Sequence, residues 1–595
     1  MTAKYVIGID LGTTNSVLAY SPLDADKPQT QLLPIPQLVE GGTIESRTLL
    51  PSFAYLASKH ELGQGAFDLP WAAGRDFAVG ELARRRAAEV PDRTVGNAKS
   101  WLCHGRVDRR GEILPWNAPA EVPKISPVTA SRWYLEHLIN AWEQAFPDAP
   151  VAEQHVVLTV PASFDAAARE LTREAALAAG LPENLLLLEE PQAAVYAWID
   201  QGGERWRKSV KLDDMLLVCD VGGGTSDFTL VKVGQEGGEL TLQRVAVGNH
   251  LLVGGDNMDL ALAYHAAEMF AKKNVHLDPW QSVSLWHSCR TAKETLLVQD
   301  GPKSHAISVL GRGSKLIGGT ISWELKRNQA SELLVDGFFP HCAVSERPVR
   351  QRASGFRDIG LPYEQDTAIT RHLAAFLQDQ GESPKRPVRP THLLLNGGVF
   401  KAQALADRLI DVLGEWAGGA APRLLEGEHD LDHAVARGAA YYGWAKHQGG
   451  VRIRGGTARA YYVGIETAGL AIPGVTRPLR ALCVAPLGME EGDQADVPSD
   501  EIGLVVGEPA HFRFFSSPMR KQDRVGDVLS SWGEEELAET DSLEATLDRD
   551  EAIDEPYVPV KFQSRVTELG MFELWCVSPK TGKQWKLEFS VREQE

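Results

Sequence analysis

Short apolar runs that stop at an acidic or glycine position alternate with longer segments of helical periodicity over most of this chain. Tyr5–Ile9 has the texture of a buried strand, Gly12-Thr13-Thr14-Asn15 that of a turn, and Ser16–Tyr20 that of the returning strand, so a hairpin opens the protein. The same text recurs as Met215–Cys219, then Asp220-Val221-Gly222-Gly223-Gly224-Thr225, then Ser226–Val233. An internal duplication at long spacing is implied. Between the copies, Val156–Val160 predicts a strand stopped by Pro161, and Ala166–Ala179 an alanine-rich helix ended by Gly180. Helices are predicted around Met258–Lys272, Val283–Val298 and Arg327–Val335, with short strands near Ala306–Leu310 and Lys315–Ile317. A strand at His392–Leu395 leads into the turn Asn396-Gly397-Gly398, and a last helix, His433–Lys446, is closed by Gly449-Gly450. Strands alternating with helices predict an α/β architecture.

From Tyr461 onward the texture changes to short strands and turns. The clearest pair is Phe572–Val577 with Gln584–Val591, where Trp585, Leu587, Phe589 and Val591 alternate with Lys586, Glu588 and Ser590, a half-buried hairpin. Glu534–Glu555 holds eleven acidic residues and one basic, which predicts a mobile solvated loop. The basic stretch Ser345–Gln365, with Arg347, Arg350, Arg352 and Arg357, and the piece Pro384–Pro390 read as solvated loops as well. The chain thus divides into 1–447, a linker 448–457 and a β-rich part 458–595.

At 595 residues, with 43% hydrophobic and 24% charged positions, the chain is too long for one core and too apolar for wholesale disorder. A formal net charge of -19 argues against nonspecific binding of nucleic acid or an anionic membrane surface. The six cysteines form no Cys-x-x-Cys pair and read as reduced thiols. The opening apolar run ends at Asp10, too soon for a signal peptide, and no stretch gives about 18 uninterrupted apolar residues, so a cytoplasmic protein is expected.

A strand that ends in Asp and runs into Gly-Thr-Thr or Gly-Gly-Gly-Thr suits a triphosphate. Glycines let backbone N–H groups approach phosphate oxygens, hydroxyls add donors, and the carboxylate holds magnesium through water. Neither turn is followed by the Gly-Lys-Ser/Thr of a Walker loop. Taken singly, Asp10 and Asp220 could be turn-capping carboxylates on tight hairpins. Two such turns, with a third Gly-Gly turn at Gly397-Gly398, favour phosphate binding.

These segments resemble the 70-kilodalton heat-shock chaperones, within the actin and sugar-kinase superfamily. Ile7–Ser16 and Asp220–Asp227 are similar to the family's two phosphate hairpins, Val160–Phe164 to its Val-Pro-Ala-x-Phe, and Glu190–Ala194 to its Glu-Pro-x-Ala-Ala. Gly254-Gly255-Asp256 resembles its Gly-Gly-x-x-Phe-Asp region, Ala434–Ala440 its last Ala-Val-Ala-x-Gly-Ala-Ala, and Tyr462–Thr467 the Gly-Ile-Glu-Thr of its substrate domain. The resemblance implies an α/β two-lobed actin-like ATPase domain over 1–447, followed after the linker by an all-β substrate-binding domain. It implies that Asp10, Glu190 and Asp220 hold magnesium and water, and that Lys99 supports attack on the γ-phosphate. Gly12, Thr13, Thr14, Asn15, Gly222, Gly223, Gly224 and Thr225 would take the phosphates, with Gly254, Gly255, Lys293, Gly397 and Gly398 completing the ATP or ADP site. Arg169 matches a residue that passes the nucleotide signal to the second domain, although an arginine on an alanine-rich helix could also be plain surface.

The pattern departs from the family in five places. Its glutamate upstream of Lys293 falls on Arg290, a base-stacking or helix-surface residue; its serine falls on Leu297; and Phe400-Lys401 follow the Gly-Gly turn. The linker carries Arg452 and Arg454 where the family has apolar side chains, so weaker coupling between the domains is expected. Nothing after Val591 matches the family's helical lid, so a chaperone without that lid is expected. The implied activity is ATP-dependent binding of extended apolar polypeptide, with a J-domain co-chaperone and a nucleotide-exchange factor as further partners. A nucleotide-gated binding protein with little turnover and a small-molecule kinase of the same superfamily are the alternatives.

Overall fold

The computed structural model describes residues 3–61, 63, 65–309, 320–349, 360–383, 386–425, 430–466, 479–505, 507–533, 536–546, 557–567 and 571–589. Two six-stranded sheets share one plan. In the first, Tyr5–Leu11 pairs antiparallel with Asn15–Pro22 and parallel with His155–Val160, which pairs parallel with Leu186–Glu189. In the second, Met215–Val221 pairs antiparallel with Ser226–Glu236 and parallel with His392–Asn396, which pairs parallel with Arg423–Leu424. The repeated hairpin of the sequence is therefore a repeated sheet. The opening strands are apolar almost throughout because helices cover both faces: Val6, Ile7 and Ile9, and likewise Leu216, Leu217 and Val218, are fully buried.

Helices Glu190–Gly202 and Ala434–Gln448 lie against each other within the apolar cluster that joins the two sheets, around Tyr196, Trp198 and Tyr442. Their backbones touch at Gly438, where an added Cβ would lie 1.8 Å from the Ala193 carbonyl oxygen, so this crossing admits only glycine. Helix Ala166–Ala178 starts at Asp165, whose carboxylate accepts from the Ala168 N–H at 2.7 Å, and ends before Gly180 at φ 100°. Two helices interrupt the stretch that reads as irregular, Ile369–Asp379 and Gln403–Trp416. The first buries Ile369, Leu373, Phe376 and Leu377, a helical stripe hidden between proline-rich loops. The strand returning from Ser304–Val309 is Ile321–Lys326; Lys315–Ile317, like Arg350, Arg352 and Arg357, lies outside the described residues.

After the second sheet come short antiparallel strands around a core in which Tyr461, Phe514 and Phe572 stack at 4.8–5.9 Å between ring centroids. The acidic stretch is not simply a solvated loop. Ala538–Glu539 pairs with Phe514–Ser517, Leu543–Thr546 pairs with Pro509–Phe512, and Leu537, Leu543 and Ala545 are buried. A period-two apolar pattern was masked there by acidic neighbours on the opposite face. The remainder, 534–535 and 547–555, lies outside the described residues. The closing strand also differs from its expected form. It breaks at Leu587 into Gln584–Lys586, paired with Phe572–Val577, and Glu588–Phe589, paired with Leu543–Thr546.

The linker adds a strand to the second sheet: Ile453–Arg454 runs parallel to Glu239–Val247, and the Ile453 N–H donates to the Tyr196 hydroxyl at 2.7 Å. Ile453 is buried, while Arg452 and Arg454 turn outward to Glu491 at 3.0 Å and Glu236 at 2.7 Å. The two arginines thus do not prevent docking, because alternation along the strand spares them burial.

Candidate functional site

Because each sheet's first strand ends in aspartate, Asp10 and Asp220 reach the space between the lobes from opposite sides, and both line one cavity of ≈ 480 Å³. Gly12, Thr13, Thr14 and Asn15 line it from the first turn, Gly222, Gly223 and Thr225 from the second, and Gly397 and Gly398 from the turn after His392–Asn396. Gly255 and Lys293 line it from the second lobe. Gly224 and Gly254 stand behind this wall: a Cβ on Gly224 would meet the Ser100 hydroxyl at 2.6 Å, and one on Gly254 the Gly222 carbonyl at 2.7 Å. The glycines, threonines, Asn15 and Lys293 that the resemblance assigns to the nucleotide site are thus either in the cavity wall or directly behind it.

Lys99 and Glu190 form an ion pair in the cavity wall, both largely shielded from solvent. Lys99 sits on the one-turn helix Ala98–Trp101, and Glu190 opens helix Glu190–Gly202 directly after the strand Leu186–Glu189. Burial works against the ammonium charge, but Glu190 and Asp10 beside it raise the Lys99 pKa. Burial, opposed by Lys99 and reinforced by Glu190 and Asp220, pushes the Asp10 carboxyl up to about 7. Burial and Glu190 do the same to Asp220, also to about 7. Three carboxylates and one lysine in a shielded space leave an excess of negative charge that one further cation would relieve.

The strand beside each aspartate fixes it. Thr159 stands across from Asp10 on the parallel neighbour and donates its hydroxyl to Asp10 Oδ1 at 3.3 Å. Asn396 stands across from Asp220 in the same relation and donates Nδ2–H to Asp220 Oδ2 at 2.8 Å. Neither residue was assigned a role by the sequence reading; the signal available was a polar residue at or next to the last position of a strand with an apolar middle. Arg290 is not a helix-surface residue; it lines the cavity wall. It is buried and pairs with Asp256 and, at 2.9 Å, with Asp259, while Lys293 reaches Asp259 at 2.7 Å and the Gly255 carbonyl at 2.8 Å.

On the other side of the first lobe, Glu189, the residue before Glu190, accepts from Arg169 at 2.9 Å and faces Arg244 at 3.2 Å. Arg244 also donates to the Gly456 carbonyl at the end of the linker. Arg169 is therefore a half-buried pairing residue rather than plain helix surface. Further along the seam, Arg109 pairs with Asp541 at 2.6 Å, both almost fully buried, and Phe589 packs near Leu102, Val128 and Leu171. Successive carboxylates thus face opposite ways, Glu190 into the cavity and Glu189 into the seam with the β-rich part.

Two duplicated sheets closing glycine turns and strand-ending aspartates over a charged cavity define a two-lobed protein with a polyanion-sized interlobe cleft. The Hsp70 protein family model matches residues 72–349. Among curated proteins, the chain is 30% identical over 426 residues to a chaperone protein HscA homolog of Pseudomonas aeruginosa, covering 68% of this chain and 58% of that protein. The HscA homolog of Pseudomonas putida matches at the same identity and shares, and the chaperone protein DnaK of Thermotoga petrophila is 30% identical over 272 residues, 46% of this chain and 37% of its own. Over these matched spans the chain is similar to Hsp70-family chaperones. It spans 58% of the length of the HscA homologs it matches. Among the described residues, no helix is long and apolar enough to cross a membrane.

Proposed function

We propose that this protein is a cytoplasmic ATP-dependent chaperone: an actin-like ATPase domain over 1–447 hydrolyses ATP, and the β-rich part after the linker 448–457 binds extended apolar polypeptide. The observation that carries the reading is the convergence of Asp10, Asp220, Glu190 and Lys99 with glycine turns from both lobes on one cavity. Magnesium fits this site, because the carboxylate excess is shielded from water and the backbone turns approach too closely for side chains. When bound, the ion supplies charge neutralisation at the phosphates. Among the described residues, no group of three or more His, Cys, Asp or Glu residues could hold a metal directly, so Asp10, Glu190 and Asp220 would act on its water shell.

Phosphoryl transfer is largely positioning plus neutralisation of spreading negative charge. Backbone N–H groups of the turns at Gly12–Asn15 and Gly222–Thr225 and the hydroxyls of Thr13, Thr14 and Thr225 would hold the phosphates. Lys99, kept charged by Glu190 and Asp10, would meet the charge that develops at the γ-phosphate. Polypeptide clients, a J-domain co-chaperone and a nucleotide-exchange factor are the proposed partners. The test is phosphate release, with and without an unfolded polypeptide and against a panel of sugars. We expect magnesium-dependent ATP turnover without sugar phosphorylation, lowered at least about tenfold by Lys99→Ala or Thr225→Ala with ATP binding retained. Wild-type turnover in both variants would show the site to be misassigned.

A further inference from the structure

The two lobes hold their aspartates by different chemistry at one topological position. Asp10 and Asp220 each end a central strand, and each is faced across a parallel ladder by a polar residue. On the first lobe that residue is a hydroxyl: Thr159 shares its proton between Asp10 Oδ1 at 3.3 Å and the Ile9 carbonyl at 3.4 Å, two long contacts. On the second it is an amide: Asn396, 3% exposed, gives Asp220 Oδ2 one contact of 2.8 Å. The next residue, Gly397, turns at φ 88°, and a Cβ there would lie 2.7 Å from the other Asp220 oxygen, Oδ1, and 2.2 Å from the Val221 carbonyl. The strand end His392–Asn396 and its turn therefore grip Asp220 on both oxygens, one by a donor and one by a close backbone pass.

We infer that Asn396 is the positioning residue for Asp220, holding Oδ2 so that this carboxylate meets the water shell of the nucleotide's cation in one fixed orientation. An amide suits the task because it donates without ever taking up a proton, and its plane fixes the carboxylate's plane with it. A buried asparagine on an apolar strand needs a partner in any case. What singles this one out is that its partner is the cleft carboxylate rather than a backbone group, while the strand itself is fully paired without it. Removing the amide leaves Asp220 in place but free to rotate, so the loss should appear in binding of the metal-loaded nucleotide and not of the nucleotide alone.

The inference rests on the cleft taking a magnesium nucleotide, and calorimetric titration separates the two. Wild type, Asn396→Leu, Asn396→Ser and Thr159→Val are titrated with ATP in magnesium and in EDTA, after thermal melting has confirmed the fold. Asn396→Leu is expected to lose about 10- to 100-fold in affinity for the magnesium complex, with affinity in EDTA unchanged. Asn396→Ser, which keeps a donor, should recover part of the loss, and Thr159→Val should lose less than Asn396→Leu. Equal losses with and without magnesium, or no loss in either, would overturn the positioning role. A wild type that binds ATP no better in magnesium than in EDTA would instead overturn the reading of the cleft, and the inference with it. If Asn396→Leu does not fold, Asn396→Ala is titrated in its place: a magnesium-dependent loss in Asn396→Ala that Asn396→Ser partly recovers supports the role, and equal affinities in the Ala and Ser variants overturn it.

Discussion

Two charged regions of this molecule lie one residue apart in the chain and are built on opposite principles. In the seam between the first lobe and the β-rich part, each shielded cation faces an anion: Arg109 faces Asp541, and Arg169 and Arg244 share Glu189. In the cleft, Asp10, Asp220 and Glu190 crowd around Lys99, which pairs with Glu190, and burial drives both aspartates to about 7. A matched buried pair is complete and serves cohesion and specificity of contact. An unmatched buried cluster is strained until a cation arrives, which is what a binding site for a metal-loaded polyanion requires.

The comparison breaks most visibly at Arg109. Truncation to Ala leaves Asp541 buried without its partner and is expected to cost about 3–5 kcal/mol in denaturant unfolding, whereas replacing both by apolar residues of similar volume should restore most of it. A cost below about 1 kcal/mol for Arg109→Ala would mean the seam charges are as solvated as surface pairs.

The cleft should respond with the opposite sign. The Asp10 carboxyl titrates higher in the folded chain than its ordinary 3.8, so between about 4 and 7 the folded form binds more protons than the unfolded form. Its contribution to the stability of the nucleotide-free protein therefore falls as pH rises through that window, on the order of 1 kcal/mol per pH unit. Asp10→Asn should flatten the slope and raise the melting temperature above pH 7. A variant that melts below wild type at pH 8 would show that the cleft charge is already compensated.

The smallest effects belong to the linker. Arg452 and Arg454 are more than half exposed, so Arg452→Ala and Arg454→Ala should each shift stability by less than about 1 kcal/mol. Ile453→Ala, by removing the buried side chain between them, should loosen the linker strand enough to speed its proteolysis. Faster cleavage in the arginine variants than in Ile453→Ala would reverse that order.

How much of this was legible in the sequence follows from range. The duplicated hairpins, the helix Ala166–Ala178 and the cleft residues Asp10 and Asp220 carry local signals, strand ends and glycine turns, that survive without knowledge of neighbours, whereas Lys99 and Glu190 came only through the family resemblance. Arg290, Asn396 and Asp541 take their roles from partners far along the chain, and the residue itself does not name its partner. The acidic strand Leu543–Thr546 misled for a related reason: composition averaged over a window hides an alternating buried face, and the partner strand Pro509–Phe512 that selects that face lies outside the window. The arginines of the linker likewise read as obstacles until the register of Ile453 against Leu242 placed them outward.

The claim that the cleft is a site built for a divalent cation with its nucleotide is tested most directly by counting manganese bound per chain by electron paramagnetic resonance, with ATP present. The account predicts one tightly held ion per chain in wild type and its loss in an Asp10→Asn, Asp220→Asn double variant that still folds; manganese retained undiminished by that variant would contradict it.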